Sequence, residues 1–259
     1  MGEAEGLALY RNLRDRDLRR EGLLVAEGRW LVERLLSSGW PVLSVACAPR
    51  FAEHFRRLAG EHCPVLEASE EELASVAGFP FHRGVLAAAR RPKLPGLEAF
   101  LSVLPGNAAR TLVVCPQLTG EYNLGSIVRS AAAFGALGLA LGSRCCDPLS
   151  RRALKVSMGA AFSLPLVALG EEEQAAAALH RAGFRIVGAS PSTRARPLDS
   201  FRRPDRLAVV LGEEAEGLGE PWEARCDALL GIPMPGGTDS LNVAVAAGIF
   251  LYALCDGGK

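Results

Sequence analysis

The sequence has no excess of charge of either sign, because 29 lysines and arginines are balanced by 29 aspartates and glutamates. Any anionic partner must therefore be recognised by local clusters of cations rather than by a globally basic surface. The four histidines are scattered, and the seven cysteines form no C-x-x-C pair. These absences argue against a metal site and against a complete disulfide framework, and they favour a reduced, cytoplasmic compartment.

Long apolar runs are also absent. The N-terminus becomes charged before a signal-peptide core can form, and the most apolar segment, residues 241–255, is shorter than the roughly 20 residues of a membrane span. Neither a P-loop nor a G-x-G-x-x-G fingerprint occurs in the chain. We therefore expect a soluble protein with no membrane partner. Because neither nucleotide-binding fingerprint occurs, its function must be sought in other motifs.

The pattern of apolar residues predicts two α/β domains. Short apolar runs alternate with amphipathic stretches from residue 10 to residue 89, which predicts a small domain over residues 1–92. Residues 93–107 contain prolines and glycines and are typical of a linker. The alternation restarts with longer elements at Thr111, so a second domain is predicted over residues 108–259.

The second domain has the pattern of a parallel sheet covered by helices. Buried strands are predicted at residues 111–115, 137–142, 184–190, 206–212 and 228–234, and helices at residues 124–136 and 240–255. Strands that are apolar on both faces indicate a parallel sheet with helices on each side. Ligands of such sheets bind at the carboxyl ends of the strands, so the loops at those ends are the candidate site.

Two of these loops carry polar residues and glycines directly after a strand. The first leads to Asn123, a good N-cap residue, and then to Arg129, a charge outside the apolar stripe of its helix. The second has the form G-x-E-x-x-G, with Gly212, Glu214 and Gly217. Taken singly, a surface arginine and a solvated acidic turn explain them as well as a site does.

The third loop combines a stiff proline and glycine segment with a polar helix start. Ser240 and Asn242 flank Leu241 at the mouth of a very apolar helix, where burying polar side chains costs free energy unless they form hydrogen bonds. Capping by Asp239 or Ser240 is the purely structural explanation. Capping explains one polar residue at the start of this helix, but it does not explain why several polar residues lie there together.

Together, the three loops resemble the signature motifs of the SpoU-type (TrmH-like) branch of the SPOUT RNA methyltransferases. The first motif, N-x-G-x-x-x-R, matches Asn123, Gly125 and Arg129, and the second matches Gly212, Glu214 and Gly217. The third motif, I-P-M-x-G followed by S-L-N-V, matches residues 232–236 and 240–243. Residues 154–166 resemble the family's K-x-S-x-G-A segment, and residues 19–39 are similar to the small substrate-binding domain that precedes many of its catalytic domains.

Two positions depart from the family pattern. Cys115 and a longer insertion stand before Asn123, where the family often has a short Asp-Pro-x-Asn, so the geometry of this loop is open. Ala244 stands where a serine commonly follows S-L-N-V, a position at which the resemblance implies cofactor or partner contacts.

The resemblance implies a C-terminal α/β-knot domain with a deep trefoil knot and a mostly parallel sheet, preceded by a smaller α/β RNA-binding domain. It implies S-adenosyl-L-methionine as cofactor, methyl transfer to a ribose 2′-hydroxyl of RNA, and a homodimer formed through the knotted domain. The implied catalytic residues are Arg129, Asn123, Glu214, Ser240 and Asn242. The implied cofactor-binding residues are Leu211, Gly212, Gly217, Ile232, Met234 and Leu241.

Arg129 has two implied roles, and the sequence does not choose between them. An arginine normally stays protonated, so it is a poor free base. Binding the phosphate beside the target ribose is the more plausible role, and proton removal with phosphate assistance is the other. RNA binding also needs further cations, and three clusters supply them. The clusters are residues 181–206, with seven arginines; Arg144, Arg151, Arg152 and Lys155; and Arg83, Arg90, Arg91 and Lys93, with Tyr10, Arg11 and Arg14 as additional candidates.

The substrate class remains open at this point. Ribosomal RNA is favoured over transfer RNA because the N-terminal domain resembles those of ribosomal RNA enzymes, and an antibiotic-resistance enzyme of the same architecture is compatible with every residue. A non-catalytic RNA-binding or assembly factor is the alternative from another class. A nucleotide-binding α/β protein with no RNA role is the third hypothesis.

Overall fold

The computed structural model describes residues 7, 9–11, 14–77, 83–105, 110–213, 217–234, 236 and 240–255. Its helices are α1 (Asp15–Arg20), α2 (Arg29–Ser37), α3 (Pro49–Ala59), α4 (Glu70–Ala77), α5 (Leu97–Ser102), α6 (Glu121–Ala133), α7 (Arg151–Val156), α8 (Glu172–Arg181), α9 (Glu220–Glu223) and α10 (Val243–Leu254). Its strands are β1 (Leu23–Glu27), β2 (Val42–Cys47), β3 (Val65–Glu67), β4 (Val85–Arg90), β5 (Arg110–Cys115), β6 (Gly138–Leu141), β7 (Leu166–Ala168), β8 (Arg185–Ala189), β9 (Arg196–Pro197), β10 (Arg206–Val210) and β11 (Ala228–Gly231). Short 3-10 helices lie at Ala160–Phe162 and Leu198–Ser200.

The chain divides into two compact units. The first comprises Met1–Lys93 together with Leu149–Ser163, and the second comprises Leu94–Pro148 together with Leu164–Lys259. Among the helices that the structure describes, none has the length and apolar character needed to cross a membrane.

The first unit is built on a four-stranded sheet in the order β1-β4-β2-β3. Strand β4 is antiparallel to both β1 and β2, whereas β2 and β3 are parallel. Tyr10 is wholly buried against this sheet, and its hydroxyl donates to the carbonyl of Ser44 at 2.8 Å and accepts from the N–H of Ala88 at 3.2 Å. The prediction that Tyr10 contacts RNA is therefore wrong, because its ring fills the core and its hydroxyl is already hydrogen-bonded.

The segment Leu149–Ser163 packs within the first unit, although strands of the second unit precede and follow it in the chain. The N–H of Arg151 donates to a carboxylate oxygen of Asp15 at 3.0 Å, which fixes the start of α7 beside α1. At the other end of the segment, the ring of Phe162 meets that of Trp40 edge to face, with centroids 5.3 Å apart. Between these ends, Arg34 on α2 donates to the carbonyl of Met158, so the family-like K-x-S-x-G-A segment lies against α2.

The second unit contains a seven-stranded sheet in the order β7-β6-β5-β10-β8-β11-β9, and its strand pairings are parallel. This arrangement confirms the predicted α/β class and the parallel sheet. The predicted strands are present, and each of their ends lies within three residues of the predicted position. Helix α6 begins three residues before the predicted start at 124, and α10 begins three residues after the predicted start at 240.

Helices α6 and α10 lie side by side and run in the same direction. Near their C-terminal ends, the rings of Phe134 and Tyr252 meet edge to face, with centroids 6.1 Å apart. The carbonyl of Leu254, in the last turn of α10, accepts from the Thr111 hydroxyl at 2.8 Å and from Nε of Arg203 at 2.6 Å. Carbonyls of a last turn have no partner within the helix, and a cation there also interacts favourably with the helix dipole.

The carboxyl ends of β5 and β6 approach each other so closely that only glycine fits between them. The N–H of Gly142 donates to the carbonyl of Cys115 at 2.9 Å. A Cβ atom at Gly142 would lie 1.9 Å from the carbonyl oxygen of Pro116, which is rigid backbone rather than a mobile side chain.

We predict that Gly142→Ala lowers the free energy of unfolding by about 3 kcal/mol or more, since accommodating the methyl group requires a backbone shift in a packed region. Gly96→Ala is the matched control, because a Cβ atom there meets nothing within 4 Å and the φ angle of −69° suits alanine. Urea unfolding followed by circular dichroism measures both variants. Equal stabilities for the two variants would contradict the close approach.

Candidate functional site

A cavity opens at the carboxyl ends of β8, β10 and β11. It brings together the six residues predicted to bind the cofactor, which are Leu211, Gly212, Gly217, Ile232, Met234 and Leu241. The predicted catalytic residue Ser240 also lines it. These residues come from two loops and the approach to α10, and the parallel sheet places them together because its strands end at the same edge.

One wall of the cavity is a tight hairpin that follows β10. The N–H of Glu213 donates to the carbonyl of Gly217 at 3.0 Å, and the N–H of Gly217 donates back at 2.9 Å. A Cβ atom at Gly212 would lie 2.0 Å from the carbonyl oxygen of Gly217, so the hairpin closes only around glycine. Gly217 itself has a φ of +65°, in the left-handed region that glycine adopts readily. Glu214 lies outside the described residues.

Glu213 joins this hairpin to the loop that precedes α6. Nε2 of Gln117 donates to one carboxylate oxygen at 2.6 Å, and the hydroxyl of Thr119 donates to the other. The hydrogen bond from Thr119, followed by that from Gln117, holds the pKa of Glu213 below its ordinary value. The insertion that departs from the family pattern is therefore anchored to the cavity wall.

Sequence reasoning missed this role of Glu213. The run "EEAE" contains several acids, and only the family motif distinguished Glu214 from its neighbours. The polar pair Gln117 and Thr119 in the insertion was the available signal, because the insertion and the acidic run both follow strands of the predicted parallel sheet, where donors and a carboxylate can meet at one edge.

The sequence suggested Asn123 as the N-cap of its helix, and this prediction is wrong. The N-cap of α6 is Gly120, so Asn123 occupies the third position of the first turn. Its side-chain oxygen accepts a hydrogen bond from Nδ2 of Asn242 at 3.1 Å. The residue is thus used for a contact between motifs rather than for closing its own helix.

The cap of α10 is Asn242 rather than Ser240, and Asp239 lies outside the described residues. The side-chain oxygen of Asn242 accepts from the N–H of Ala244 at 3.0 Å and from the N–H of Val245 at 3.3 Å. With its oxygen facing α10 and its amide nitrogen facing Asn123, this one side chain fixes the start of α10 to the start of α6.

The structure does not bring Arg129 to the cavity lining. It lies six residues beyond Asn123 on α6, which is about 9 Å along the helix axis at 1.5 Å per residue. Its side chain is exposed, and within the described part of the chain no hydrogen bond or ion pair engages it. Tyr122, seven residues earlier and 63% exposed, lies on the same helix face.

The cavity lining suits an adenosyl group. Its walls are mainly apolar, with Leu211 and Ile232 after the strands and Phe250 on α10, and the hydroxyls of Ser190 and Ser240 add polar groups. A flat purine packs between apolar side chains and needs few, well-placed hydrogen bonds at its edge. At Gly217, where a Cβ atom would meet nothing within 4 Å, the absence of a side chain leaves the backbone accessible to a ligand.

Cysteine and metal chemistry find no support near the site. Burial raises the pKa of Cys145 to about 11 and that of Cys146 to about 12, so both thiols are neutral near pH 7. Cys145 donates to the carbonyl of Cys115 at 3.1 Å, which is a structural contact. The part of the chain that the structure describes contains no group of three or more His, Cys, Asp or Glu residues arranged to hold a metal.

Several arginines of the cluster at residues 181–206 have structural partners. Arg206 donates to the carbonyl of Ala182 at 2.6 Å, and Arg203 holds the end of α10 as described above. Arg181 is paired with Glu98 at 2.8 Å. This cluster is therefore a weaker candidate for phosphate binding than its density of charge suggested.

We predict that Asn123 and Asn242 are energetically coupled. Asn242→Ala removes both a cap and the hydrogen bond to Asn123, at a cost of about 2 kcal/mol, whereas Asn123→Ala removes only the hydrogen bond, at about 1 kcal/mol. Urea unfolding of the two single variants and the double variant gives the coupling, expected at about 0.5–1.5 kcal/mol. Strict additivity would show that the contact contributes nothing to stability.

Comparison with known families matches residues 110–252 to the SpoU rRNA methylase family and residues 9–87 to an MRM3-like substrate-binding domain. An uncharacterised tRNA/rRNA methyltransferase of Mycobacterium tuberculosis is 36% identical over 236 residues, covering 90% of this chain and 80% of the relative. The 23S rRNA (guanosine-2′-O-)-methyltransferase RlmB of Acinetobacter baylyi is 32% identical over 192 residues, covering 74% of this chain and 77% of RlmB.

Solved structures share the fold over nearly the whole length. An rRNA methyltransferase from Sinorhizobium meliloti, solved with AdoMet bound, has a TM-score of 0.82 and 23% identity, covering 97% of this chain and 92% of its own. The SpoU methyltransferase AviRb from Streptomyces viridochromogenes, in complex with AdoMet, has a TM-score of 0.78 and 24% identity, covering 97% and 95% of the two chains. The family match, the two relatives and the agreement of all three motifs lead to one conclusion: the chain belongs to the SpoU rRNA methylase family.

Proposed function

We propose that this protein is an S-adenosylmethionine-dependent methyltransferase that methylates a ribose 2′-hydroxyl of RNA, with ribosomal RNA as the favoured substrate. The observation that carries the proposal is the single cavity lined by all six residues that the family motifs assign to the cofactor. The name of the Acinetobacter baylyi relative, which specifies 2′-O-methylation of 23S rRNA, supports both the chemistry and the substrate. Transfer RNA is the alternative, since the mycobacterial relative is named for both RNA classes.

Bound in the cavity, S-adenosylmethionine supplies a methyl group activated by a sulfonium sulfur. Leu211, Ile232 and Phe250, which line the cavity, would enclose the adenosyl part and exclude water from it. Ser240, which lines the cavity, would orient the ribose that receives the methyl group. Asn242, whose oxygen caps α10 and whose amide nitrogen donates to Asn123, would hold the loop that carries Ser240 in place. Most of the rate enhancement then comes from positioning, because the reacting oxygen and methyl carbon must approach in line.

Arg129 is the residue proposed to bind RNA phosphate beside the target ribose. Its guanidinium stays protonated, and a planar fork of N–H donors matches a phosphate. A cation in that place stabilises negative charge as it develops on the 2′-oxygen. Support comes from its exposure and from the absence of a competing acidic partner among the described residues. The role of Glu214 is proposed on the motif alone.

We further propose a homodimer formed through α6 and α10. Three apolar side chains at helical spacing are exposed on α10, namely Val245 at 52%, Ile249 at 37% and Tyr252 at 75%. Tyr122 adds an exposed ring on the adjacent α6. An exposed apolar patch of this kind on a globular protein usually marks an interaction surface, and a second copy is the occupant that the family resemblance implies.

The remaining elements of the proposal follow from the family motifs. Residues 1–92 form the RNA-binding domain, with Leu149–Ser163 packed into the same unit. Residues 93–107 connect it to the catalytic domain and contribute α5 to the second unit. Residues 108–259 form the catalytic domain, in which the chain forms a deep trefoil knot. The protein acts in the cytoplasm, where its RNA substrate and its cofactor are both present.

We predict that Arg129→Ala lowers methyl transfer by about 10²-fold or more, because a charge that stabilises the transition state is lost. Tritium transfer from labelled S-adenosylmethionine to unmodified bacterial RNA, followed by nuclease mapping, measures the effect and locates the label. Isothermal titration with S-adenosylmethionine should show wild-type affinity, since Arg129 does not line the cavity. Arg57→Ala, another exposed arginine on a helix, is the control and should retain full activity.

Two outcomes would overturn this assignment. Label on a base rather than on a ribose would exclude 2′-O-methylation. A wild-type protein that binds the cofactor and RNA but transfers no label to any unmodified RNA would support the non-catalytic RNA-binding factor instead.

We predict that Val245→Asp converts the dimer to a monomer, since it places a charge in the middle of the proposed interface. Val103→Asp is the matched control, because Val103 is 77% exposed and lies at the end of α5, away from α10 in the fold of the second unit. Light scattering coupled to size-exclusion chromatography gives the mass of each variant. A wild-type protein of 27.4 kDa in solution would contradict the proposed dimer.

A further inference from the structure

The first unit contains a cavity that the proposed methyl-transfer site does not use. It has a volume of about 260 Å³ and lies at the start of α2, between this helix and the α7 segment. The side chains that matter for its chemistry are Arg29, Trp30, Arg83, Lys155, Met158 and Glu27. All of them belong to the first unit, because Lys155 and Met158 lie in the segment Leu149–Ser163.

The lining carries more positive than negative charge. Nε of Arg83 lies 3.8 Å from the carboxylate of Glu27, and Arg29 is hydrogen-bonded to Glu33 at 2.8 Å. Lys155 is exposed, and over the described ranges of the chain it has no hydrogen bond or ion pair. Three cations and a single acid in the lining make the cavity attractive to an anion, although the chain as a whole is neutral.

An exposed indole forms one side of the cavity. Trp30 is 71% exposed, whereas Trp222 is almost fully buried at 1% and Trp40 packs on the ring of Phe162. Beside Trp30, the side chain of Met158 is 42% exposed. A tryptophan left this open does not contribute to the core, and its π face is available for stacking on a planar ligand.

The backbone around the cavity is held in unusual conformations. Met158 has a φ of +53°, a left-handed conformation that costs free energy for a side chain of this size, and Arg34 donates to its carbonyl. Gly28 has a φ of +95°, and a Cβ atom there would lie 3.2 Å from Cδ of Arg83. The glycine therefore allows the arginine to lie across the chain at the start of α2, where no side chain caps the helix.

We infer that this cavity binds one nucleotide of single-stranded RNA, with the base stacked on Trp30 and a neighbouring phosphate bound by Arg83 and Lys155. Stacking of bases on aromatic rings, combined with cations along the backbone, is the usual way in which proteins hold single strands. A carboxylate-rich peptide would use the cations but would leave the indole without a planar partner. The inference rests on the proposed function, for which it supplies a second RNA contact separate from the cofactor cavity.

Lys155 gives the family-like K-x-S-x-G-A segment a role in this contact. The segment belongs in sequence to the methylase part of the chain, yet it packs on α2 of the first unit. Its lysine extends the RNA-binding surface of that unit, and the left-handed turn at Met158 and Gly159 sets where the lysine's helix ends.

The test measures binding of fluorescently labelled 12-nucleotide oligoadenylate and oligouridylate RNAs to the full chain. Trp30→Ala should weaken binding about tenfold, whereas Trp30→Phe, which retains a ring, should recover most of the affinity. Lys155→Gln and Arg83→Gln should each reduce the slope of log affinity against log salt by about 0.7, as expected for the loss of one phosphate contact to a single strand.

Arg20→Gln is the matched control, since Arg20 is an exposed cation of the same unit that does not line the cavity. Its affinity for RNA and its salt dependence should equal those of the wild type. S-adenosylmethionine should bind all variants equally, which shows that the second unit is intact. Wild-type RNA affinity in both Trp30→Ala and Lys155→Gln would overturn the inference. It would also be overturned if polyglutamate displaced RNA from the wild type but not from Trp30→Ala, since the indole would then serve an acidic peptide.

Methyl transfer by the same variants separates this inference from the proposed function. If the wild type transfers methyl groups and the cavity variants have an unchanged KM for RNA, the inference fails and the function stands. If the wild type binds RNA through Trp30 but transfers nothing, the function fails and the inference stands. A wild type that binds neither oligonucleotide overturns the inference directly.

Discussion

The hydrogen bonds that fix α10 at both ends determine the geometry of the second unit's site. The helix contains no charged residue, so apolar contact alone would hold it on the sheet without specifying its position along its axis. Asn242 fixes the first turn to Asn123, and the carbonyl of Leu254 is held by Thr111 and Arg203. Because both sets of bonds are directional, they define one position of the helix, and with it the end point of the loop after β11.

The two walls of the cavity at the carboxyl ends of β8, β10 and β11 depend on this fixed position. The loop from Ile232 to Leu241 ends where α10 begins, so anchoring Asn242 sets the placement of the apolar side chains before it. The opposite wall is the Gly212–Gly217 hairpin, which is closed by its own backbone bonds and held through Glu213 to the loop before α6. Both walls are thus connected to α6, so Glu213 on one side and Asn242 on the other are held relative to the same helix.

The fold was predictable where apolar periodicity is strong. The site was predictable only for motif residues that the fold brings together at the cavity. Buried strands such as β5 and β10 are evident as continuous apolar runs. The caps were predicted wrongly because Asn, Ser and Asp are equally good N-cap residues, and only the contact between α6 and α10 selects Asn242. The role of Glu213 and the packing of Leu149–Ser163 within the first unit both depend on contacts distant in sequence, which no local pattern contains.

The balanced charge of the chain has a physical consequence for RNA recognition. Many of its cations are used internally: Arg203 and Arg206 bind backbone carbonyls, and Arg181 is paired with an acid. Exposed cations without such partners, Arg129 and Lys155 among them, can attract phosphate locally, although the chain as a whole has a net charge of zero. Non-specific affinity for nucleic acid comes almost entirely from the number of phosphates neutralised, and a chain without net positive charge has no long-range attraction to add to these local contacts. Selective binding must then come from groups that recognise more than charge, and among the described residues the exposed indole of Trp30 and the lining of the cavity beside β8, β10 and β11 are the candidates for that role.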